Sequence, residues 1–571
     1  MHKPNYITTP IFYVNASPHI GHLHSMILAD VCARWAAYKR GDVHAGGLEV
    51  LDPADQSGTG GAVAGENRAE GTKSNVLLAT GTDEHGQKVQ RAASQGGEHP
   101  KQMCDRVSET FRSLASAAGL MQHTFIRTTD EKHVKAVQHL WRRLDAAGHI
   151  YKGSHQGWYA ISDEAFYTDS QIRRVRSGSG EEYHESIETG QRVEWHLELN
   201  YKFRLSTFKE PLIRWIEENP QCILPSARRD QVLKELKEVD LEDLSVSRPR
   251  NRLEWGIQVP DDPEHTIYVW IDALTNYLTV AGYPWEDGSV PTSSAWPADA
   301  HILGKDIIRF HAIYWPAMLL AASLPLPEKI VTHGHWTSSN KKMSKSLGNV
   351  QDPFESLKLF GQDEIRWFLL RIGGRLDGDS DGSDGAKEGV RVDDSAEELL
   401  AKIAALPDIV EQAMQQYETA RVLTAISDVM GEANAFIANS APWSKTLMPA
   451  ERRMMLYALH ETIRVVSALL KPFMPGKMSQ LQRMFAFEEA TLSWEALRRP
   501  AERIEIVFRR PALDAKGKAV KGGEREDVLF ATHQTSADQA GTAATEKSAK
   551  EAAKSTKGQK KKTRNDSKKH A

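Results

Sequence analysis

Residues 6–34 read YITTPIFYVNASPHIGHLHSMILADVCAR, and the fold class follows from this stretch. Tyr6 to Val14 is an apolar, β-prone run. Asn15, Ser17 and Pro18 make a turn. From Leu23 to Trp35 apolar residues recur at helical spacing, so the stretch predicts strand, tight turn, helix. Gly21 lets the backbone approach a ligand closely where the helix begins. The free N–H groups of that first turn favour an anion. His19 and His22 flank the turn, which places phosphate-binding chemistry at the C-terminal end of a strand. Open α/β sheets bind their ligands there.

The same theme recurs along the chain. Asn75 to Ala79 is a short apolar run ending in Gly81-Thr82-Asp83-Glu84-His85-Gly86, with a helix predicted from Gln87. Ile267 to Val280 reads as an apolar strand entering an amphipathic helix. Ala300 to Leu320 reads as strand, Gly304-Lys305-Asp306, then helix, and Lys329 to His333 as a further strand. Strands alternating with helices predict a doubly wound, Rossmann-like parallel sheet. The reading divides it into a first half, 1–119, and a second, 266–375. Between them 120–265 is read as an inserted α+β module: Tyr151 to Tyr167 is aromatic and β-like, and Phe203 to Glu218 helical. Residues 45–74 are a Gly/Asp/Glu-rich surface insertion. Residues 376–394 are Gly/Asp/Ser-rich and predict a linker. Residues 395–513 have helical period throughout and predict an all-α bundle, with Pro472 and Pro475 ending its last long helix. Residues 514–571 predict a disordered basic tail.

Composition narrows the class. At 571 residues the chain is long enough for several compact units. No apolar run is long enough to span a bilayer. Three well-separated cysteines, Cys32, Cys104 and Cys222, support neither a disulfide framework nor a Cys-based zinc site. Lys547 to Ala571 carries ten Lys/Arg and two acids, so with a whole-chain charge of −4 the rest holds −12. Net charge therefore gives no argument for RNA binding by the body. Met1 to Asn5 is too short for a signal or transit peptide.

Alone, His-x-Gly-His is equally a capped helix start with surface imidazoles. Alone, Lys342-Met343-Ser344-Lys345-Ser346 reads as a solvated basic loop. Together, each after a predicted strand on a two-halved nucleotide fold, they point to one phosphate site. The pair resembles the two signatures of class I aminoacyl-tRNA synthetases. The surrounding text, GTDEHGQK, GWYAISDEAFY, NYKFRLS, IYVWIDALTNYLT, HILGKDIIRFHAIYWPAML, KKMSKSLGN and, more thinly, SAPWSK and LKPFMPGKM, is similar to the methionyl-tRNA synthetase branch in its mitochondrial and bacterial form.

That resemblance implies ATP-dependent ligation of L-methionine to methionine tRNA through a methionyl-adenylate. Residues His19, Gly21, His22, Lys342, Ser344, Lys345 and Ser346 would hold ATP. His19, His22, Lys342 and Lys345 would be the catalytic set, donating to phosphate oxygens as charge develops. Ile11, Tyr13, Trp270, Tyr277 and His311 would line the methionine pocket. Asp83 would take the α-ammonium and Asp306 polar groups of the ligand. Trp443 would stack an anticodon base, making the all-α bundle an anticodon-binding domain. A tryptophan capping the bundle core is the alternative at that position. The module at 120–265 would meet the acceptor stem.

The resemblance further implies Mg²⁺ with the nucleotide, and elongator and initiator methionine tRNA as partners with no membrane. No structural zinc is predicted, because Tyr159 to Glu164 holds no cysteine where some relatives carry a zinc knuckle. The body implies the mitochondrial matrix, with the cytoplasm as alternative. Asp377 to Gly385 and Ser395 to Leu406 do not match the segment with which the family reads the anticodon. The tail is read either as added RNA affinity or as a solubilising end. A synthetase for leucine, valine, isoleucine or cysteine, or a tRNA-binding paralogue without charging activity, are the competing readings.

Overall fold

The computed structural model describes residues 3–41, 76–121, 123–160, 165–176, 182–187, 189–286, 288–338, 341–342, 351–376, 380–381, 395–444 and 446–498. All belong to one compact unit, Met1–Phe508. The chain begins with β1 (Asn5–Tyr13), α1 (Ile20–Lys39), β2 (Val76–Asp83), α2 (Gln87–Gly96), α3 (Pro100–Ala117), β3 (His123–Arg127) and α4 (Glu131–Ala146). Next come β4 (Ile150–Ala160), β5 (Ala165–Tyr167), β6 (Ile172–Arg176), β7 (Glu182–Ser186), β8 (Arg192–Phe203) and α5 (Lys209–Glu218). They lead to β9 (Ile223–Leu224), α6 (Ser226–Glu238), β10 (Leu244–Ser245), β11 (Ser247–Pro249), β12 (Gln258–Val259) and β13 (Asp262–Ile267). There follow α7 (Val269–Val280), β14 (Ala300–Gly304), α8 (Trp315–Ala321), β15 (Ile330–His333), β16 (Trp336–Ser338), β17 (Lys341–Lys342), α9 (Pro353–Phe360), α10 (Gln362–Gly373) and β18 (Ser380–Asp381). The last helices are α11 (Ala396–Gln415), α12 (Thr419–Ser440), α13 (Pro449–Leu470), α14 (Pro475–Met484) and α15 (Trp494–Leu497).

The central sheet runs β3-β2-β1-β14-β15-β9, and every pair in it is parallel. Its strands alternate between two cores, as the period of two requires. Ile7, Leu78, Ile302 and Val331 face a core shared with α1 and with α11 to α14. Tyr6, Ala79, Leu303 and Ile330 face a second core shared with α4, α7 and α8. The β1/β2 register shifts between Thr8 and Ile11. The shift spans Pro10, which has no N–H to give the ladder. Beyond it, Ile11 to Tyr13 run on beside Gly81 to Asp83. Gly81 is required there, since a Cβ would lie 2.0 Å from the carbonyl oxygen of Ile126 on β3.

Several expectations change. Strands β3 and β9 edge the central sheet, yet both fall inside 120–265. The part of that segment that stands apart is the antiparallel sheet β5-β4-β8-β7-β6, with β10 on β8. Residues 267–280 do not form a strand entering a helix. β13 ends at Ile267 in an antiparallel three-stranded sheet with β11 and β12, and Val269 onward is helix. Phe203 closes β8, and α5 proper starts at Lys209. Within 376–394, Ser380–Asp381 is a strand, pairing in parallel with Trp336 and Thr337 of β16. The 45–74 insertion, the 514–571 tail and Met343 to Ser346 lie outside the described residues.

Helix α1 joins the two main regions. It is buried along nearly its whole length. Asp30 accepts from Arg34 Nε at 2.7 Å, Arg366 Nη2 at 2.6 Å and the Met121 N–H at 2.6 Å. Arg366 also donates to the carbonyls of Pro472 (3.0 Å) and Phe473 (2.9 Å), at the corner between α13 and α14. Burial pushes the Asp30 carboxyl up, but the two guanidiniums outweigh it and hold it below the usual range.

Candidate active site

The two histidines cap α1 reciprocally. The Gly21 N–H donates to His19 Nδ1 at 3.0 Å, and the His19 N–H donates to His22 Nδ1 at 3.1 Å. This is a capping box built from imidazoles. Each ring uses Nδ1 as an acceptor, so in the neutral form each proton sits on Nε2. The rings stack with centroids 3.8 Å apart, and Phe12 and Phe111 meet His22 edge-on at 5.0 and 5.3 Å. A Cβ on Gly21 would lie 2.9 Å from His19 Cε1, so any larger residue would push that ring aside.

Both histidines line one cavity of about 430 Å³. Ile11, Tyr13, Gly21, Asp83, Trp270, Tyr277, Asp306 and His311 line it too. One end is aromatic. Trp270 stacks on Phe310 at 3.5 Å. The Tyr277 hydroxyl meets His311 Nε2 at 2.8 Å, and His311 Nδ1 lies 2.9 Å from the Ile307 carbonyl. The carbonyl can only accept, so Nδ1 carries the proton and Nε2 accepts from the tyrosine. Burial lowers the His311 pKa to about 4, which keeps the ring neutral. His311 sits in a widened turn, Phe310–Tyr314, where the Trp315 N–H reaches back to the Phe310 carbonyl. Turns of this kind recur at functional sites. The lining also carries charge. Asp83, at the end of β2, is buried, and Asp306 pairs with His335 at 2.7 Å.

Lys342 is on β17, opposite Thr337 of β16 and one residue on from Trp336, which lines the cavity. Ser344, Lys345 and Ser346 lie outside the described residues. Trp443 is remote from the cavity in the chain's helical part. It sits in the turn between α12 and α13 and is 69% exposed, so it does not cap the bundle core. Arg452 braces that turn through the carbonyls of Pro442 (3.1 Å) and Ser444 (2.6 Å).

The motifs hid a supporting network. Buried Glu84 accepts two bonds from Arg127, at 2.6 and 2.9 Å, and one from Thr129 at 2.5 Å. Asp272 on α7 meets His85 Nδ1 at 2.7 Å and His133 Nε2 at 2.9 Å. Burial raises the Asp272 carboxyl, but His85 and His133 prevail and hold it below the usual range. These ties fix α7, which carries Trp270 and Tyr277, against the loop that follows Asp83. The unexplained Glu and His inside GTDEHG were the available signal. Lys88, which also lines the cavity, had none. Among the described residues no group of three or more His, Cys, Asp and Glu is placed to hold a metal ion.

A family profile described as tRNA synthetases class I (M) matches residues 5–49 and 36–385. The probable mitochondrial methionine–tRNA ligase of Neurospora crassa is 40% identical over 533 residues, covering 85% of this chain and 80% of that protein. The chain belongs to the methionyl-tRNA synthetase family. The methionine–tRNA ligase of Rickettsia bellii is 37% identical, covering 84% of this chain and 92% of its own. A family member of solved structure, Mycobacterium tuberculosis methionyl-tRNA synthetase bound by methionyl-adenylate, superposes with a TM-score of 0.73 at 34% identity. The match covers 87% of this chain and 96% of that one. The doubly wound sheet with its helical C-terminal region is the family architecture.

Proposed function

We propose that this chain ligates L-methionine to methionine tRNA at the expense of ATP. One observation carries the reading. A single cavity joins two capped imidazoles at a helix N-terminus to an apolar, aromatic chamber closed by a neutral tyrosine–histidine pair. In the first step a methionine carboxylate oxygen attacks the α-phosphorus of ATP. A P–O bond forms, the bond to the β-phosphate bridge breaks, and pyrophosphate leaves. The protein's task is alignment and charge stabilisation. His19 and His22 donate through Nε2 to phosphate oxygens. Lys342 and Lys345, as flexible point charges, meet the β/γ-phosphates together with Gly21, Ser344 and Ser346. Mg²⁺ would enter with the nucleotide, carried on its phosphates. In the second step a terminal ribose hydroxyl of the tRNA attacks the acyl carbon, AMP leaves, and the hydroxyl proton is lost.

Asp83 takes the α-ammonium, and Asp306 takes polar groups of the ligand. The thioether lies among Ile11, Tyr13, Trp270, Tyr277 and His311, where each sulfur–aromatic contact is favourable by about 0.3–1.5 kcal/mol. Trp443 stacks an anticodon base, for which an exposed platform is the expected device. The module built on β4 to β8 meets the acceptor stem, and the basic tail adds non-specific RNA affinity. No helix among the described residues is long and apolar enough to cross a membrane. The names of the relatives support the mitochondrial matrix, with the bacterial relative consistent with an organellar body.

The test is methionylation of purified elongator and initiator methionine tRNAs from mitochondria and cytoplasm. Charging of the mitochondrial set is expected. No charging of any methionine tRNA contradicts the proposal.

A further inference from the structure

Lys88 stands at the second position of α2, directly after the loop that ends β2. A cation in the first turn of a helix is opposed by the positive end of the helix dipole. The ammonium is nevertheless set in the cavity wall, with Nζ 5.3 Å from the centre of the Tyr13 ring. It is the one lysine or arginine among the described residues lining that cavity. Tyr13 is paired in register with Asp83, which is buried and lines the same cavity. One tyrosine is thus flanked by an anion from the last residue of β2 and a cation from the first turn of α2. Gly86, at φ 105°, makes the turn that brings the two elements together.

An amino-acid head group is a zwitterion whose ammonium and carboxylate share one carbon. A site that orients it needs an anion and a cation side by side. We infer that Lys88 receives the substrate carboxylate while Asp83 receives the ammonium. This rests on the reading of the cavity as the methionine-activating site. Lysine suits the task because a point charge engages one carboxylate oxygen and leaves the other to attack phosphorus. An arginine fork would engage both. The Tyr13 ring holds the ammonium at the wall by its negative face, so little ordering is needed when substrate arrives.

The discriminating probe is methioninol, which keeps the ammonium and the thioether but has no carboxylate. Calorimetric titration of the full chain gives methionine and methioninol affinities for the wild type, Lys88→Gln and Lys88→Arg. In Lys88→Gln, methionine binding should weaken by about tenfold while methioninol stays within about twofold, and Lys88→Arg should restore the preference for methionine. Equal weakening of both ligands shows that Lys88 acts only by packing on Tyr13 and overturns the inference. So does unchanged methionine binding in Lys88→Gln. If the unaltered chain binds no methionine, the reading of the cavity fails first, and the assignment of Lys88 with it.

Discussion

Tyr277 and Trp443 are both aromatic side chains that the sequence marks as ligand contacts, and the structure sets them at opposite extremes. Tyr277 is 1% exposed; its hydroxyl is held by His311, its ring lies 4.1 Å from that of His301, and its carbonyl accepts from the Tyr6 hydroxyl at 2.9 Å. Trp443 is 69% exposed, in a turn that Arg452 braces through the carbonyls of Pro442 and Ser444. The ligands proposed for the two side chains differ in the same way. An amino acid must be told from near-isosteres by the shape of a dry chamber, where one methylene is worth about 1–3 kcal/mol. An anticodon base arrives on a large RNA and offers a flat face to whatever surface stacks on it. The Tyr277–His311 pair is therefore braced by hydrogen bonds and ring packing, whereas Trp443 is left in solvent.

The firmest tie between the two regions is the buried triad of Asp30, Arg34 and Arg366, which links α1 to the Pro472–Phe473 corner. Replacing Asp30 by Ala leaves two guanidiniums buried without their carboxylate, and should cost about 3–5 kcal/mol. Urea unfolding followed by circular dichroism measures it. A loss under about 1 kcal/mol would mean that the regions are joined mainly by apolar packing.

The cap at His22 separates stability from chemistry. Asn at this position mimics Nδ1 and can keep the cap, while Gln mimics the reach of Nε2 and can keep the outward donor. His22→Asn should fold as well as wild type, yet lose about 10²–10³-fold in kcat for ATP–pyrophosphate exchange. His22→Gln should keep more activity and lose about 1 kcal/mol of stability with the cap. The reverse pattern would make the histidine a structural residue.

The braced chamber should also be sensitive to acid. Burial lowers His311 from an ordinary 6.5 to about 4, and likewise His333, whose Nε2 meets Ser25 Oγ at 2.8 Å in the cavity wall. Between these values the unfolded chain binds the more protons. Stability is therefore full above about pH 6.5 and falls as pH drops toward about 4. Denaturant titrations at about pH 7 and about pH 5 should show that loss, and His311→Gln should lessen it, leaving the share due to His333. Trp443→Ala tests the other region. It should lower kcat/KM for tRNA charging by roughly ten- to a hundredfold, with no change in melting temperature because the side chain packs on so little. A fall in melting temperature would put Trp443 back in the bundle core.

Much of this contrast was legible in the sequence. The strand–turn–helix at Tyr6 to Arg34 carries its own period and its own turn chemistry, and the ten candidate residues from Ile11 to His311 all meet at one cavity. Failures came where local pattern is mute. β3, HTFIR, is short and half polar, and β9, Ile223–Leu224, is only two residues long, so neither announces itself. The apolar run at 267–280 could be read as strand because a helix buried on nearly all sides loses its period. Asp272, Glu84 and Lys88 act through partners far away in sequence, and a charged residue near a helix start looks like any surface residue until its neighbour across the fold is seen.

What the chamber accepts defines the enzyme. ATP–pyrophosphate exchange by the full chain against a panel of methionine, leucine, isoleucine, valine and cysteine tests this most directly. The highest kcat/KM is expected with methionine, by at least about tenfold, the discrimination expected of a shaped apolar pocket. Higher exchange with any other amino acid, or no exchange at all, would contradict it.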